Sequence, residues 1–347
     1  MGSRKPADGQ PDTTAFAPVD DLSRRILAVL QDDGRADLTA VAKACGTSLP
    51  TVARRVERLI ADDLLRVAVI PELGSHGPVE TLMAQIVCQP GTQVSVAQKL
   101  VVRQDVRFAA LVAGSYDIVL ELVVEAELSG YPRAMLEIQS IPGIERWHSD
   151  LVLHVYKISH HWKKPDRGTT DDADYPFART MCDPSHLDGT DLAILDVLQK
   201  DGRASFKSIA AGLGVNESTV RRRFERMTNN GCALVVTIVP PAALGLRALT
   251  LMTVNVEPRK LDDVAGTLAR HPSVRYLAAT LGGSTLMCEV VAESTKGLFE
   301  FSKSTLATLD GVVDWAGSLE LVTLKRAFVE TPWWRTRLAT SKAPLTP

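Results

Sequence analysis

Apolar residues recur at helical spacing in two stretches of the chain that lie 168 residues apart. In residues 48–59 the apolar positions are Val52, Val56 and Leu59, and residues 216–227 repeat the pattern. The spacing i, i+4, i+7 gives a helix a single apolar stripe. Both stretches place threonine and arginine on the opposite side, and each opens on a small polar residue suited to the N-cap. Two basic amphipathic helices are therefore predicted.

Each basic helix is predicted to be the last of three. Residues 20–32 carry a first apolar stripe that ends before Gly34, and residues 38–45 carry a shorter one before Gly46. A short helix, a glycine-containing turn and a longer basic helix form a helix-turn-helix unit, whose last helix enters the major groove. Arginines there would neutralise phosphates and contact base edges. The residues predicted to contact DNA are Ser48, Thr51, Arg54, Arg55, Arg58, Asn216, Ser218, Thr219, Arg221, Arg222, Arg223 and Arg226.

Short apolar strands alternate with helices after the first basic helix. The predicted order is β-α-β-β-α-β, the ferredoxin-like arrangement. Its antiparallel sheet has helices on one face, so the other face needs a second sheet to cover it. The predicted strands are residues 82–87, 106–112, 118–124 and 144–155, and the predicted helices are residues 94–102 and 131–138.

The whole pattern then starts again with the same offset of 168 residues. Asp-Gly-Arg-Ala at residues 33–36 returns at residues 201–204, which indicates a duplicated two-module unit. The predicted fold class is α+β, with two winged or helix-turn-helix all-α modules alternating with two ferredoxin-like βαββαβ modules. The predicted segments are a disordered arm (1–19), helix-turn-helix 1 (20–65), ferredoxin-like module 1 (66–158), a linker (159–187), helix-turn-helix 2 (188–233), ferredoxin-like module 2 (234–326) and a C-terminal tail (327–347).

Composition narrows the class of protein. A chain of 347 residues is expected to form several domains. Its net charge of −2 means that any DNA-binding charge must be local, as it is in the basic helices. Five scattered cysteines without a C-x-x-C pair favour reduced thiols. No apolar run is long enough to span a membrane, so we expect a soluble cytoplasmic protein.

Two smaller features lie in the predicted linker and in the predicted tail. The adjacent histidines His160 and His161 lie in the predicted linker with no other ligand cluster nearby, so no metal site is predicted. The tail contains Pro332, Trp333 and Trp334, which we expect to pack back onto the protein.

These features together resemble the Lrp/AsnC (feast/famine) family of transcription regulators. The resemblance rests on the order of modules, on Gly-Ser-Tyr-Asp at residues 114–117 and on Pro-Gly-Ile at residues 142–144. Family members usually carry one copy per chain and pair through their sheets, so the duplication here would build the dimer-like unit within one chain. The resemblance implies three kinds of partner and no cofactor. The partners are double-stranded DNA, a small-molecule effector such as an amino acid, and further copies in a homo-oligomer formed through the ferredoxin-like modules.

In such proteins the effector site lies between modules, near the turn that joins the second and third strands. Glycine there frees backbone N–H groups for a carboxylate, and Asp117 could pair with an ammonium group. The same residues could instead simply make a hairpin turn. The second copy lacks the tyrosine and the aspartate, so we expect one competent and one degenerate effector surface. The predicted effector residues are Gly114, Ser115, Tyr116, Asp117, Gly282, Gly283 and Ser284.

The two predicted DNA helices are not identical. Ser218 and Arg221 replace Pro50 and Ala53 of the first copy, so the extra arginine is expected to strengthen phosphate contact in the second. We therefore expect an asymmetric operator.

Two other functions remain open. Sirohaem decarboxylases share the two-module architecture but use a histidine-containing cluster in the strand equivalent to residues 106–112, and neither copy of that strand contains a histidine. A metabolite-sensing protein without DNA binding fits the near-neutral charge, but it leaves seven arginines in the two basic helices unexplained. No catalytic residue is predicted.

Overall fold

The structure is a computed structural model that describes residues 18–73, 78–126, 130–159 and 186–335. The predicted disordered arm, apart from its last two residues, lies outside these ranges. So do the histidine pair and most of the predicted linker.

Three short helices open each copy and pack around an apolar cluster of their own. The predicted stripes face inward: Ile26, Val41 and Val52 are fully buried in the first copy. The first helix of each copy begins after an aspartate, Asp20 or Asp188, whose carboxylate accepts a backbone N–H. The helices are α1 (Asp21–Asp32), α2 (Leu38–Ala44) and α3 (Leu49–Ala61), then α6 (Gly189–Lys200), α7 (Phe206–Leu213) and α8 (Glu217–Asn229).

A two-stranded antiparallel ribbon follows the helices. Its strands are β1 (Arg66–Pro71) and β6 (Ala233–Ile238). Ala68 pairs with Val236, its own equivalent in the second copy, so a pseudo-twofold axis passes through this pair. Side chains alternate across the ribbon: Ala68 packs with the core of the first module, whereas Val67 and Val69 pack with the helical units.

The other strands form one nine-stranded sheet that closes on itself. The strand order is β11-β10-β3-β4-β2-β5-β8-β9-β7, and β7 pairs again with β10. The strands are β2 (Val79–Cys88), β3 (Val106–Ala113), β4 (Ile118–Glu125), β5 (Ile144–Ile158), β7 (Ala248–Val256), β8 (Val274–Leu281), β9 (Leu286–Ala292), β10 (Val312–Arg326) and β11 (Val329–Glu330). The accompanying helices are α4 (Gln93–Val101), α5 (Gly130–Gln139), α9 (Leu261–Arg270) and α10 (Thr295–Ser304).

Two strands of 15 residues each, β5 and β10, close the sheet. The first part of β5 pairs with β2 of its own copy, and from Leu151 onward β5 pairs with β8 of the other copy. In the same way β10 pairs first with β7 and then with β3. Each copy therefore completes the sheet of the other.

Two lysines tie these crossing strands to helices of the other copy. Lys157 Nζ donates to the carbonyl oxygens of Ala269 at 2.8 Å and His271 at 3.1 Å. Its equivalent, Lys325, donates to the carbonyl of Arg103. A cation suits the carbonyl-rich end of a helix. Burial lowers the pKa of both amines to about 8.

The start of the C-terminal tail packs back, as the sequence predicted. Trp333 and Trp334 are buried in the core of the first module. The indole N–H of Trp334 donates to Glu330 Oε1 at 2.7 Å.

The prediction of reduced thiols throughout does not hold. Cys232 is disulfide-bonded, whereas Cys45, Cys88 and Cys288 are free and buried. Within the described residues no cluster of side chains suits a metal ion, and no described helix has both the length and the apolar character needed to cross a membrane.

Candidate DNA interface and effector cavity

The basic helices begin where the sequence predicts, after Ser48 and Asn216. Both residues occupy the N-cap position, but neither side chain bonds a helix N–H. The Ser48 hydroxyl instead lies 2.9 Å from that of Thr51. The preceding turns contain Gly46 and Gly214, with φ of 62° and 67°, a left-handed conformation that favours glycine. The turn prediction is thus confirmed, whereas the capping hydrogen bonds are not formed.

The three arginines of α3 have different surroundings. Arg54 is exposed and makes no ion pair or hydrogen bond within the described part of the chain, and Arg58 makes only an exposed pair one turn along its own helix. Arg55 is 31% exposed and donates to Asp20 at 2.6 Å and to the Ser23 hydroxyl at 2.9 Å. The Ser23 N–H and the Arg55 guanidinium lower the pKa of Asp20 to about 2. Arg55 therefore joins α3 to the start of α1.

The second copy uses two arginines in this way. Arg223 pairs with Asp188 at 2.7 Å and with Asp191 at 3.0 Å, and Arg226 also pairs with Asp191. The Asp191 side chain is completely buried and stands where the first copy has Ser23. A buried carboxylate needs such partners, because an unpaired charge in the interior is costly. Arg223 and Arg226 therefore contribute to the packing of α8 on α6.

Two arginines of α8 remain on its outer face. Arg222, the equivalent of Arg54, is exposed and has no ion pair or hydrogen bond among the residues described here. Arg221 pairs with Glu217 at 3.2 Å and lies 5.1 Å from the centre of the Phe206 ring. The extra arginine of the second copy is thus partly engaged within its own unit. Arg54 and Arg222 are the equivalent arginines most available to a phosphate.

A cavity of about 350 Å³ lies between the two copies. Equivalent residues from both copies line it, as Gln85 and Thr253 do. Four predicted effector residues also line it: Ser115, Tyr116, Gly283 and Ser284. The two turns that we expected to form separate surfaces therefore meet in one cavity on the pseudo-twofold axis.

The ionisable groups of this cavity come from one copy only. His148 Nε2 lies 2.7 Å from Asp150 Oδ1, which also accepts the N–H of Gly283 at 2.7 Å. The Asp150 side chain is 2% exposed, whereas that of His148 is 47% exposed. Ala316 and Ser318 hold the equivalent positions in the second copy, and both also line the cavity. The cavity is therefore chemically asymmetric.

The outer glycines of both turns make this close approach possible. A β-carbon at Gly282 would lie 1.8 Å from Asp150 Oδ1, and one at Gly114 would lie 2.7 Å from Ser318 Oγ. Gly114 also has a φ of 151°, which disfavours other residues. These glycines position the cavity wall, although neither is among the residues that line it.

Asp117 makes hydrogen bonds that belong to the hairpin. Its carboxylate accepts the backbone N–H of Cys88 at 2.8 Å and the side-chain amide of Gln93 at 3.4 Å. Its own N–H donates to the carbonyl of Ile86. These bonds close the β3–β4 turn against the end of β2, and Asp117 is not among the residues lining the cavity.

His148 and Asp150 are functional candidates that the sequence interpretation missed. They lie two residues apart in β5, so both face the same side of the sheet. The available signal was Asp150, an acidic residue in the middle of this strand. The sequence did not reveal that this face of β5 would be covered by the second copy.

A smaller cavity of about 50 Å³ is surrounded by charge. Arg107 pairs with Glu121 at 2.5 Å, and Arg326 pairs with Glu289. Arg275, the equivalent of Arg107, also lines it, and burial lowers its pKa to about 9. The interior of the closed sheet thus contains a cluster of ion pairs as well as the larger cavity of about 350 Å³.

Family models match both helical units and a later part of the second copy. The AsnC-type helix-turn-helix domain matches residues 19–60 and 187–228, and the Lrp/AsnC ligand binding domain matches residues 249–328. An uncharacterised HTH-type transcriptional regulator of Pyrococcus furiosus is 36% identical over 127 residues, which cover 36% of this chain and 86% of that protein. The HTH-type transcriptional regulator LrpA of Pyrococcus abyssi is 32% identical over 140 residues, covering 40% of this chain and 99% of LrpA.

Among solved structures, the siroheme decarboxylase NirDL has a TM-score of 0.60 and 12% identity, over 92% of this chain and 99% of its own. That likeness concerns the fold alone.

The matched models and the paired helical units define a transcription regulator of the helix-turn-helix class. The chain belongs to the Lrp/AsnC family, and its two helix-turn-helix matches are consistent with tandem duplication.

Replacing Asp191 with serine, the residue of the first copy, tests the packing role of the arginine pair. We expect the free energy of unfolding to fall by about 1–3 kcal/mol, because the variant cannot form the charge-assisted hydrogen bonds of the buried carboxylate. Urea unfolding followed by circular dichroism measures this change.

The matched control is Asp196→Ser in the same helix, whose pair with Lys200 is exposed on both sides. That variant should change stability by less than about 0.5 kcal/mol. Equal destabilisation in the two variants would contradict a special role for Asp191.

Proposed function

We propose that this chain is a sequence-specific DNA-binding transcription regulator that responds to a small molecule. The observation that carries the proposal is the match of the AsnC-type helix-turn-helix domain to both helical units, whose last helices present Arg54 and Arg222 at equivalent exposed positions. Phosphate contacts by such arginines supply affinity, and base-edge contacts supply specificity. A DNA-binding regulator would act in the cytoplasm.

We assign helix-turn-helix units to residues 20–65 and 188–233, and ferredoxin-like modules to residues 66–158 and 234–326. The order of helices and strands supports this assignment, since a β-α-β-β-α-β succession follows each helical unit and its ribbon strand. The crossing of β5 and β10 supports a dimer-like unit within one chain.

The pseudo-twofold axis has a consequence for the operator. Recognition helices related by a twofold axis read half-sites in inverted orientation. The outer faces of α3 and α8 differ, because Ser218 and Arg221 replace Pro50 and Ala53. We therefore propose an inverted operator whose two halves differ in sequence.

The cavity on the axis supports a polar effector. Its lining includes Asp150, His148 and Gln85, together with several hydroxyl groups, and no arginine or lysine of the described chain contributes to it. The Asp150 carboxylate can receive the ammonium group of a ligand, and the His148 imidazole can face the carboxylate of the same ligand. Binding of an amino acid requires both contacts. Because these two groups come from one copy, we propose one effector per chain, bound in a single orientation.

A decarboxylase is the second candidate, favoured by the fold likeness to NirDL, a structure of which holds an iron-uroporphyrin III analogue. His148 is a histidine in the cavity, but it lies on β5 rather than on β3 or β8. A tetrapyrrole with many carboxylates needs cationic partners, and the described lining residues include no arginine or lysine. The regulator is the better supported function.

We also propose that copies of this chain assemble with one another. Leu153 and its equivalent Leu321 are 58% and 54% exposed, and Tyr131 and its equivalent Phe299 are 40% and 63% exposed. Apolar side chains exposed at matching positions suit a contact between copies. We expect a mass of two or more chains by light scattering, and a mass of one chain at micromolar concentration would exclude this assembly.

The DNA-binding proposal is tested by Arg54→Ala/Arg222→Ala. We expect weaker binding to a fluorescent fragment of the DNA upstream of the gene. The slope of log affinity against log salt should also fall in magnitude by about 0.9 for each phosphate that the variant no longer neutralises. Fluorescence anisotropy at several salt concentrations measures both quantities.

The control is Arg259→Ala, an exposed arginine on a 3-10 turn that belongs to neither basic helix. It should bind like wild type. Wild-type affinity and slope in the double variant would rule out α3 and α8 as the DNA-contacting helices.

The effector proposal is tested by Asp150→Asn in calorimetric titrations with a panel of amino acids and amines. We expect wild type to bind its best ligand with one site per chain, and the variant to bind it about tenfold or more weakly, a change of about 1.4 kcal/mol. Asparagine keeps the shape of the side chain but removes the charge that receives an ammonium group.

Asp314→Asn is the control, because Asp314 lies on β10 and bonds Asn255 at the exposed surface. Two equal sites per chain, or unchanged affinity in Asp150→Asn, would contradict the single asymmetric site.

An absorption spectrum after adding a tetrapyrrole tests the decarboxylase, which requires a shifted tetrapyrrole band.

A further inference from the structure

The repeated Asp-Gly-Arg-Ala segments, residues 33–36 and 201–204, meet each other across the pseudo-twofold axis. Arg35 donates to the carbonyl of Gly202 and, at 3.1 Å, to that of Ala204. Arg203 donates to the carbonyl of Gly34 at 2.6 Å and, at 3.1 Å, to that of Ala36. We call this reciprocal contact of Arg35 and Arg203 the arginine clasp.

The turns that carry the clasp are held rigidly. In each copy the aspartate of the segment accepts the N–H of the arginine two residues on at 2.9 Å. The glycines lie so close to the ribbon that a β-carbon would clash. At Gly34 it would lie 2.6 Å from Thr237 Oγ1, and at Gly202 it would lie 2.6 Å from the backbone nitrogen of Ala68. The N–H of Gly202 also donates to the carbonyl of Val67 at 2.9 Å.

Aromatic rings lie against one of the two arginines of the clasp. The Arg35 guanidinium lies 4.5 Å from the centre of the Phe206 ring and 5.1 Å from that of Phe224. Cations over aromatic faces are attracted to the ring. Leu38 and Val56 hold the equivalent positions in the first copy, so Arg203 has no such ring from them. Burial lowers the pKa of both arginines, as expected for guanidinium groups held inside a contact.

We propose that the arginine clasp sets the distance and rotation between α3 and α8, and thereby the half-site spacing that the protein accepts. This inference rests on the proposed DNA-binding function. Each arginine bonds residues 167 or 169 positions away, in the opposite helical unit. The turns that it joins end α1 and α6, against which α3 and α8 pack. Arg35 and Arg203 are positioning residues that need not touch DNA.

The first test measures the free protein. Spin labels on unnatural ketone residues at Glu57 and Glu225, which are exposed on α3 and α8, report the distance between the helices by double electron–electron resonance. We expect one narrow distance in wild type and a distribution at least twice as wide in Arg35→Ala/Arg203→Ala. Arg35→Lys/Arg203→Lys keeps the charge without the fork of donors, and it should also broaden the distribution.

Arg24→Ala/Lys200→Ala is the control, because these residues lie on α1 and α6 and make ion pairs within their own helices. It should keep the narrow distance. Circular dichroism identifies which variants are folded. Wild-type width in a folded clasp variant, alanine or lysine, would overturn the proposal.

The second test measures operator spacing. An operator selected from random DNA by the wild-type protein is altered by inserting 5 base pairs between its halves, which rotates one half-site by about half a turn. We expect the insertion to weaken binding by wild type about 100-fold or more and binding by the clasp variant less than about tenfold. Equal weakening would overturn the proposal. Absence of any specific binding by wild type would instead count against the DNA-binding function, while the distance measurement would still decide the clasp.

Discussion

Closure of the sheet by β5 and β10 holds the two copies of the repeat in one fixed relation. Each of these strands belongs to its own copy at one end and to the other copy at the other end. The edge strand of an open sheet exposes backbone N–H and C=O groups that have no hydrogen-bond partner. Pairing of β5 and β10 with strands of both copies covers such edges in each copy. The ribbon, the arginine clasp and the larger cavity all lie where the two copies meet.

Duplication within one chain permits asymmetry that two identical chains could not have. In a homodimer any side chain on the axis-related surfaces appears twice. Here His148 and Asp150 line a cavity to which the second copy contributes Ala316 and Ser318 at the equivalent positions, and the buried Asp191 of the second helical unit replaces a serine of the first. The two halves keep one backbone plan while their chemistry differs. One effector orientation and two unequal half-sites are the functional forms that such asymmetry can take.

Paired charge on the basic helices of this protein serves packing. Among the seven arginines of α3 and α8, Arg55, Arg223 and Arg226 bond the starts of α1 and α6. Helical periodicity could place all seven away from the apolar stripe, but it could not separate these three from Arg54 and Arg222. The difference depends on which acidic residue of another helix lies within reach, such as Asp191, 32 positions from Arg223.

Local sequence patterns were sufficient to define the elements and their repetition. Helical and strand periodicity are local properties, so the helices and strands begin and end within a few residues of the predicted positions, and most elements repeat with an offset within one or two residues of 168. The pairing of elements between the two copies, in contrast, emerged only from the folded protein. The strand register between the copies, the shared cavity and the arginine clasp depend on contacts between residues far apart in the chain. Such contacts leave no periodic signal in one sequence, because each requires the other copy to be in place.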